Sequence, residues 1–170
     1  MVHKSGRKNK LTGQAGEYLV AAELARMDLI ATTFTGNVPD YDIIASDGKG
    51  RHVSVQVKTS NSESWHFNIS SFCKITFDGN RQIIGEPNRA PINRLIVVFV
   101  ILSHNREKRD RFFLLNWLKL QKIIISRHKY WLDAHNGVRP KNPESLHAAL
   151  TVLEIKQFED KWESVLRSLK

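Results

Sequence analysis

Asp42 opens a short apolar run, Ile43-Ile44-Ala45, and a second run follows it closely, Val53-Ser54-Val55-Gln56-Val57-Lys58. Between them Asp47-Gly48-Lys49-Gly50 is a turn signal, so this stretch is committed to a β-hairpin. The strand period of two sends Val55 and Val57 to one face and Gln56 and Lys58 to the other. The same hairpin brings Asp42 near that polar pair.

The rest of the chain arranges itself around this hairpin. Residues 1–12 carry Lys4, Arg7, Lys8 and Lys10 with little apolar content and read as a mobile basic arm, leaving 13–170 as a single domain. From Gly13 to about Leu29, the residues Ala15, Leu19, Ala22 and Met27, joined by Tyr18 and Val20, fit a helix with one buried stripe and Thr12 as its N-cap. Thr32 to Thr35 reads as strand, and Gly36-Asn37-Val38-Pro39 breaks the chain before Tyr41. Trp65 to Ile69 alternates as a strand does, whereas Phe72 to Pro91, with Asp78-Gly79-Asn80 and two prolines, reads as a long irregular excursion. Arg94 to Leu102 is almost wholly apolar, the mark of a central strand buried on both faces, and Arg111 to Leu115 belongs beside it. Trp117 to Ile125 suggests a short helix, Thr151 to Ile155 an edge strand, and Phe158 to Leu169 a closing helix.

With 170 residues and 41% apolar content, the chain can bury one core. A formal charge of +9 draws polyanions to the surface. Nucleic acid ranks ahead of an anionic membrane, because no basic amphipathic helix has a broad aromatic face. The single cysteine, Cys73, excludes an internal disulfide and a Cys-x-x-Cys metal or redox site, which suits a reducing compartment. The longest apolar stretch, Leu95 to Leu102, is too short to cross a bilayer, and the basic N-terminus lacks an apolar signal region. A soluble, cytoplasmic protein is the expectation.

A carboxylate, a neutral oxygen and an ammonium converging at strand ends can hold a divalent cation and activate water against a phosphodiester. With Glu17 on the preceding helix, Asp42 at a strand start and Gln56-Val57-Lys58 at a strand end, the chain resembles the PD-(D/E)XK nuclease superfamily over about Gly13 to Ser60. The pattern is a Gln-x-Lys variant, similar to small members with a Gln-Val-Lys signature and to intron-encoded homing endonucleases; archaeal Holliday junction resolvases are similar in layout. The resemblance implies an α/β fold, a restriction-endonuclease-like mixed β-sheet core flanked by helices. It also implies an endonuclease that hydrolyses DNA with Mg²⁺ or Mn²⁺. In its terms Asp42 and Gln56 hold the metal, Lys58 orients the attacking water, and Glu17 completes the site. DNA is the implied partner, with no membrane; double-strand cutting often needs two copies, which leaves a homodimer or higher homo-oligomer open.

Two departures from the family pattern keep alternatives open. Gln56 stands where most relatives have Asp or Glu, so the ligand charge is lower; this supports the alternative of a nucleic-acid-binding module on the same fold with weak or no catalysis. Pro39-Asp40 matches the letters of the family signature while Asp42 matches its context, and period two puts both on one face, so Asp40 stands as alternative ligand or helper.

Several residues are candidates for nucleic-acid contact. Lys10 is basic and near the helix, and Gly13 with Gly16 flanks the expected helix start, which suits either a phosphate or close helix packing. Thr59 and Ser60 can hydrogen-bond a phosphate or simply serve the turn. The polar turn with His104, Arg106, Lys108, Arg109 and Arg111 can track a backbone or stay solvated. Arg127-His128-Lys129-Tyr130-Trp131 mixes bases and aromatics as single-strand binders do, although Tyr130 and Trp131 also suit a core. His128 and His135 lack a third ligand at zinc spacing.

Overall fold

A computed structural model describes residues 3–34, 40–103, 105 and 107–169. Its centre is a five-stranded sheet in the order β1 (Ile30–Thr33), β2 (Ile43–Ser46), β3 (His52–Ser60), β7 (Ile96–Ile101), β8 (Arg111–Asn116). All neighbours are antiparallel except β3 and β7, so the sheet is mixed. The expected hairpin is β2–β3, with Ile43 opposite Val55 and Ser46 opposite His52. Its turn closes because Gly48 and Gly50 take positive φ (70° and 91°), while the Asp47 carboxylate accepts the Lys49 and Arg51 N–H groups at 2.9 and 3.1 Å.

The apolar run at 94–102 builds two cores at once. Ile96, Val98 and Val100 of β7 join Val53, Val55 and Val57 of β3 on one face, under α1 (His3–Arg26). On the other face Val97 and Phe99 meet Trp65, Phe113 and Trp117. That second face is covered by α2 (Trp117–Asp133) and by a two-stranded sheet, β4 (Ser64–Asn68) with β9 (His147–Thr151). Burial on both faces is why β7 carries no polar alternation.

Several expectations change. The basic segment read as an arm is helical from His3 onward, so Thr12 lies inside α1 rather than capping it. The buried stripe of α1 is Gly16, Val20 and Leu24, four residues apart, whereas Tyr18 and Ala22 are exposed. The excursion at 72–91 is a second hairpin, β5 (Cys73–Asp78) with β6 (Arg81–Pro87), turning at Gly79; the register slip between Cys73 and Ile75 blurs its alternation. Helix α2 continues to Asp133, which places Arg127 to Trp131 on it with Tyr130 exposed. The edge strand falls earlier, as β9, and Val152–Ile155 forms α3 behind a Thr151–Glu154 capping box. The closing helix shortens to α4 (Glu163–Ser168), because Asp160 adopts φ of 52° and breaks the run. The strand residue Thr35 and the Gly36–Pro39 break lie outside the described residues.

One buried polar network ties α2 to β6. Gln82 Nε2 donates to the Pro143 and Ser145 carbonyls at 2.7 and 3.0 Å, so its Oε1 is left to accept from His128 Nε2 at 3.2 Å. His128 therefore carries a proton on Nε2. Burial, helped by the Arg139 and His147 charges, lowers its pKa to about 4. A folded-state value below the ordinary 6.5 means that the unfolded chain takes up this proton first; the stabilisation is complete above pH 6.5 and is lost as pH falls toward 4. Urea unfolding is expected to show a loss of about 3 kcal/mol across that window, removed in His128→Gln.

Candidate nuclease site

The ladder between β2 and β3 ends at Ile43, and Asp42 changes its pattern. The Asp42 N–H reaches the Val55 carbonyl at 2.9 Å, and its Oδ2 accepts the Val57 N–H at 2.6 Å. The carboxylate thus takes the place that a backbone carbonyl would fill, which pins it against the Gln56–Lys58 segment. One carboxylate oxygen is committed to this bond. Asp40 differs: it is exposed and adopts φ of 73°, so the extended alternation that would align it with Asp42 is interrupted.

Gln56 and Lys58 are half-buried on β3, opposite Val97 and Phe99 in the parallel ladder. They therefore share the face on which Trp65 packs. The Trp65 indole N–H donates to the Lys58 carbonyl at 2.9 Å, and Trp65 packs edge-on to Phe99 with ring centroids 4.9 Å apart. A cavity of about 390 Å³ opens beside Lys58, lined also by Asn9, Thr12, Asn61 and His66.

Glu17 arrives from α1, the helix on the other face. Its pKa is raised, first by burial and then by the negative charge of Asp42, which marks the two carboxylates as electrostatic neighbours. The contact that sets α1 against β3 is Gly16 on Thr59: a Cβ at position 16 would lie 1.9 Å from Thr59 Oγ1 and 2.9 Å from its Cβ. Of the two readings of this glycine, close packing is the one found. Neither Gly13 nor Gly16 presents a free helix-start N–H, since both lie well inside α1. Thr59 Oγ1 is buried against the helix without a hydrogen-bond partner, while the residue itself lines the cavity beside Lys58. Ser60 Oγ serves the following turn through the Ser62 N–H at 3.0 Å.

Among the remaining candidates, Lys10 is exposed on α1 and Lys108 is exposed in the turn before β8. Arg109 forms an ion pair with Asp160, and Arg111 is held by Glu159 and Glu63, so two guanidinium groups of that turn are already compensated. His104 and Arg106 lie outside the described residues. The arginines and histidines around α2 and β9, by contrast, gather about a second cavity that the sequence signalled only through Arg127 to Trp131.

The residues at β2–β3 can be tested against a divalent cation. Among the described residues, no three or more His, Cys, Asp or Glu side chains gather as a metal cage. The local donors are instead two neighbouring carboxylates and an amide oxygen on the adjacent strand. Mg²⁺ prefers oxygen donors, keeps several waters, and requires only one or two carboxylates. Glu17, its pKa raised first by burial and then by the Asp42 charge, and Asp42 itself are hard oxygen donors whose negative charge a cation would balance.

No protein-family model matches the sequence, and no curated protein matches it either. Among solved structures the chain is similar to a bacterial homing endonuclease, at 14% identity and a TM-score of 0.51, over 93% of this chain and 93% of that one. It also matches the Holliday junction resolvase Hjc of the archaeal hyperthermophile Archaeoglobus fulgidus, at 12% identity and a TM-score of 0.43, over 85% of this chain and 88% of that one. The fold class is the one expected from the sequence, a restriction-endonuclease-like mixed sheet flanked by helices. Among the described residues, no helix is long and apolar enough to cross a membrane.

Proposed function

We propose that the chain is a Mg²⁺- or Mn²⁺-dependent DNA endonuclease, cutting phosphodiester bonds with water at the Asp42–Gln56–Lys58 segment. The observation that carries this reading is the Asp42 carboxylate, fixed on the Val57 N–H between Gln56 and Lys58 and close enough to Glu17 to raise its pKa. In this reading Asp42, Gln56 and Glu17 would hold the cation. When bound, the cation supplies charge stabilisation at the scissile phosphate and makes water acidic enough to act near neutral pH. Lys58 holds the attacking water by hydrogen bonding and offsets the charge that develops on the phosphate. The backbone bond to Val57 keeps one Asp42 oxygen fixed, so the carboxylate cannot swing away as substrate enters. The +9 surface accounts for affinity toward the flanking phosphates, and binding is expected to weaken steeply with salt.

The reading is tested by two measurements together. Mg²⁺ is expected to raise the melting temperature of the wild-type protein and to permit cleavage of plasmid DNA, with EDTA abolishing both. Asp42→Asn keeps an acceptor for the Val57 N–H and removes the repulsion on Glu17. It should therefore be as stable as wild type or more so without metal, yet show no Mg²⁺ shift and no cleavage. A wild-type protein that binds DNA but neither responds to Mg²⁺ or Mn²⁺ nor cuts any duplex, branched or single-stranded substrate would instead be a binding module, as the neutral Gln56 allows.

A further inference from the structure

Opposite α1, a cavity of about 210 Å³ lies between α2 and β9, lined by Arg127, His128, Trp131, Arg139 and His147 among apolar neighbours, with no acidic side chain in its wall. Glu154, the carboxylate paired with Arg127 of this wall, is already engaged: it also accepts the Thr151 N–H and hydroxyl at 2.6 and 2.7 Å. Arg139 is different. Its guanidinium stacks over the Trp131 ring at 4.7 Å and donates to the His147 carbonyl, so it is fixed in place. Among the described residues it forms no ion pair, and its buried Nε–H has no acceptor. A buried, unmatched donor on a cation is costly unless an anionic oxygen arrives to take it.

The cavity is also joined to the candidate nuclease site. His147 Nε2 lies 2.9 Å from His66 Nδ1 across the outer face of the β4–β9 sheet. His66 in turn lines the cavity beside Lys58. A row of polar nitrogen groups thus runs from Lys58 through the histidine pair, in which one ring nitrogen donates to the other so that the pair carries at most one charge, to Arg139.

We propose that Arg139, with His147 and Trp131, forms a phosphate-binding subsite for the DNA strand whose scissile bond lies at Lys58; this rests on the nuclease reading above. A phosphate oxygen accepts the Arg139 Nε–H, and the Trp131 and His147 contacts hold the guanidinium ready for it. The subsite registers the strand several groups away from the cut and makes no contribution to the chemical step.

The test is DNA binding in EDTA, where no cleavage occurs, followed by fluorescence anisotropy of a labelled duplex across a salt series. Arg139→Gln is expected to weaken binding about tenfold and to reduce the slope of log Kd against log salt by about one. Lys122→Gln, an equal charge change on an exposed residue of α2, is expected to leave both as they are. Arg139→Lys should recover the slope without the full affinity. Equal binding by Arg139→Gln and Lys122→Gln at every salt concentration overturns the proposal. Should Arg139→Gln fail to fold, the Arg139 Nε–H resonance of the wild-type protein decides: it is expected to move on adding DNA, and a resonance that stays fixed, or that moves with millimolar inorganic phosphate but not with DNA, overturns the strand subsite. Loss of binding in Arg139→Gln by a wild type that cuts nothing supports the subsite while the nuclease reading falls. A wild type that does not bind DNA at all removes both.

Discussion

Lys58→Ala is expected to slow DNA cleavage by about 10³-fold while DNA affinity at moderate salt changes by no more than a few-fold. Lys58 is half-buried near the end of β3, opposite Phe99, and its main chain is fixed by the sheet and by the Trp65 indole. Truncating the side chain therefore leaves the strand in place and removes the only group assigned to hold the water. Lys58→Met, which keeps the aliphatic stem, should lose as much rate with less change in stability. Lys58→Arg should recover only part of it, because a planar fork cannot occupy the position of a compact ammonium. Single-turnover cleavage rates measured beside anisotropy separate the chemical step from binding. Cleavage that survives Lys58→Ala unchanged would place the activity at another site or in a contaminant.

Trp65→Ala is expected to cost about 3–5 kcal/mol of stability. The indole is 5% exposed and packs edge-on against Phe99 and Phe113, at 4.9 and 6.2 Å between centroids. It is also the link between the central sheet and β4, through its bond to the Lys58 carbonyl. Trp65→Phe should divide these roles. Most of the packing survives and the hydrogen bond does not, so stability is expected to fall by about 1 kcal/mol beyond the residual packing loss, with a fall in cleavage rate at unchanged DNA affinity. Urea denaturation and cleavage assays on both variants check this; equal activity of Trp65→Phe and wild type would show that the bond to Lys58 has no bearing on the chemistry.

How much of this was legible in the sequence depended on whether local pattern and tertiary placement agreed. The β2–β3 hairpin and the β7 strand were readable because alternation, turn glycines and apolar continuity all point the same way. The β5–β6 hairpin was not, since the slip at Cys73 and Ile75 breaks the alternation and the nearby prolines read as loop. The start of α1 was misplaced because Gly13 and Gly16 are poor helix formers; at Gly16 the lost propensity is offset by close approach to Thr59, a contact between segments far apart in sequence. The shortened C-terminal helix turns on a single left-handed residue, Asp160, that periodicity does not register. The order of Glu17, Asp42, Gln56 and Lys58 was visible, but the use of the Asp42 carboxylate as a substitute ladder acceptor was not. Arg139 was invisible as a candidate because its partners come from α2 and β9, on either side of it in sequence, and no spacing rule joins them.

The Gly16–Thr59 contact carries a consequence for how such a protein can drift. Glu17 is the next residue along α1, so the height of its carboxylate over the strands is tied to this close approach of helix and sheet. Any methyl added there lifts the acid together with its scaffold. Changes at positions 16 and 59 should then be tolerated only in concert, one shrinking as the other grows, and a lineage that relaxes this spacing alone would surrender chemistry before it surrendered its fold.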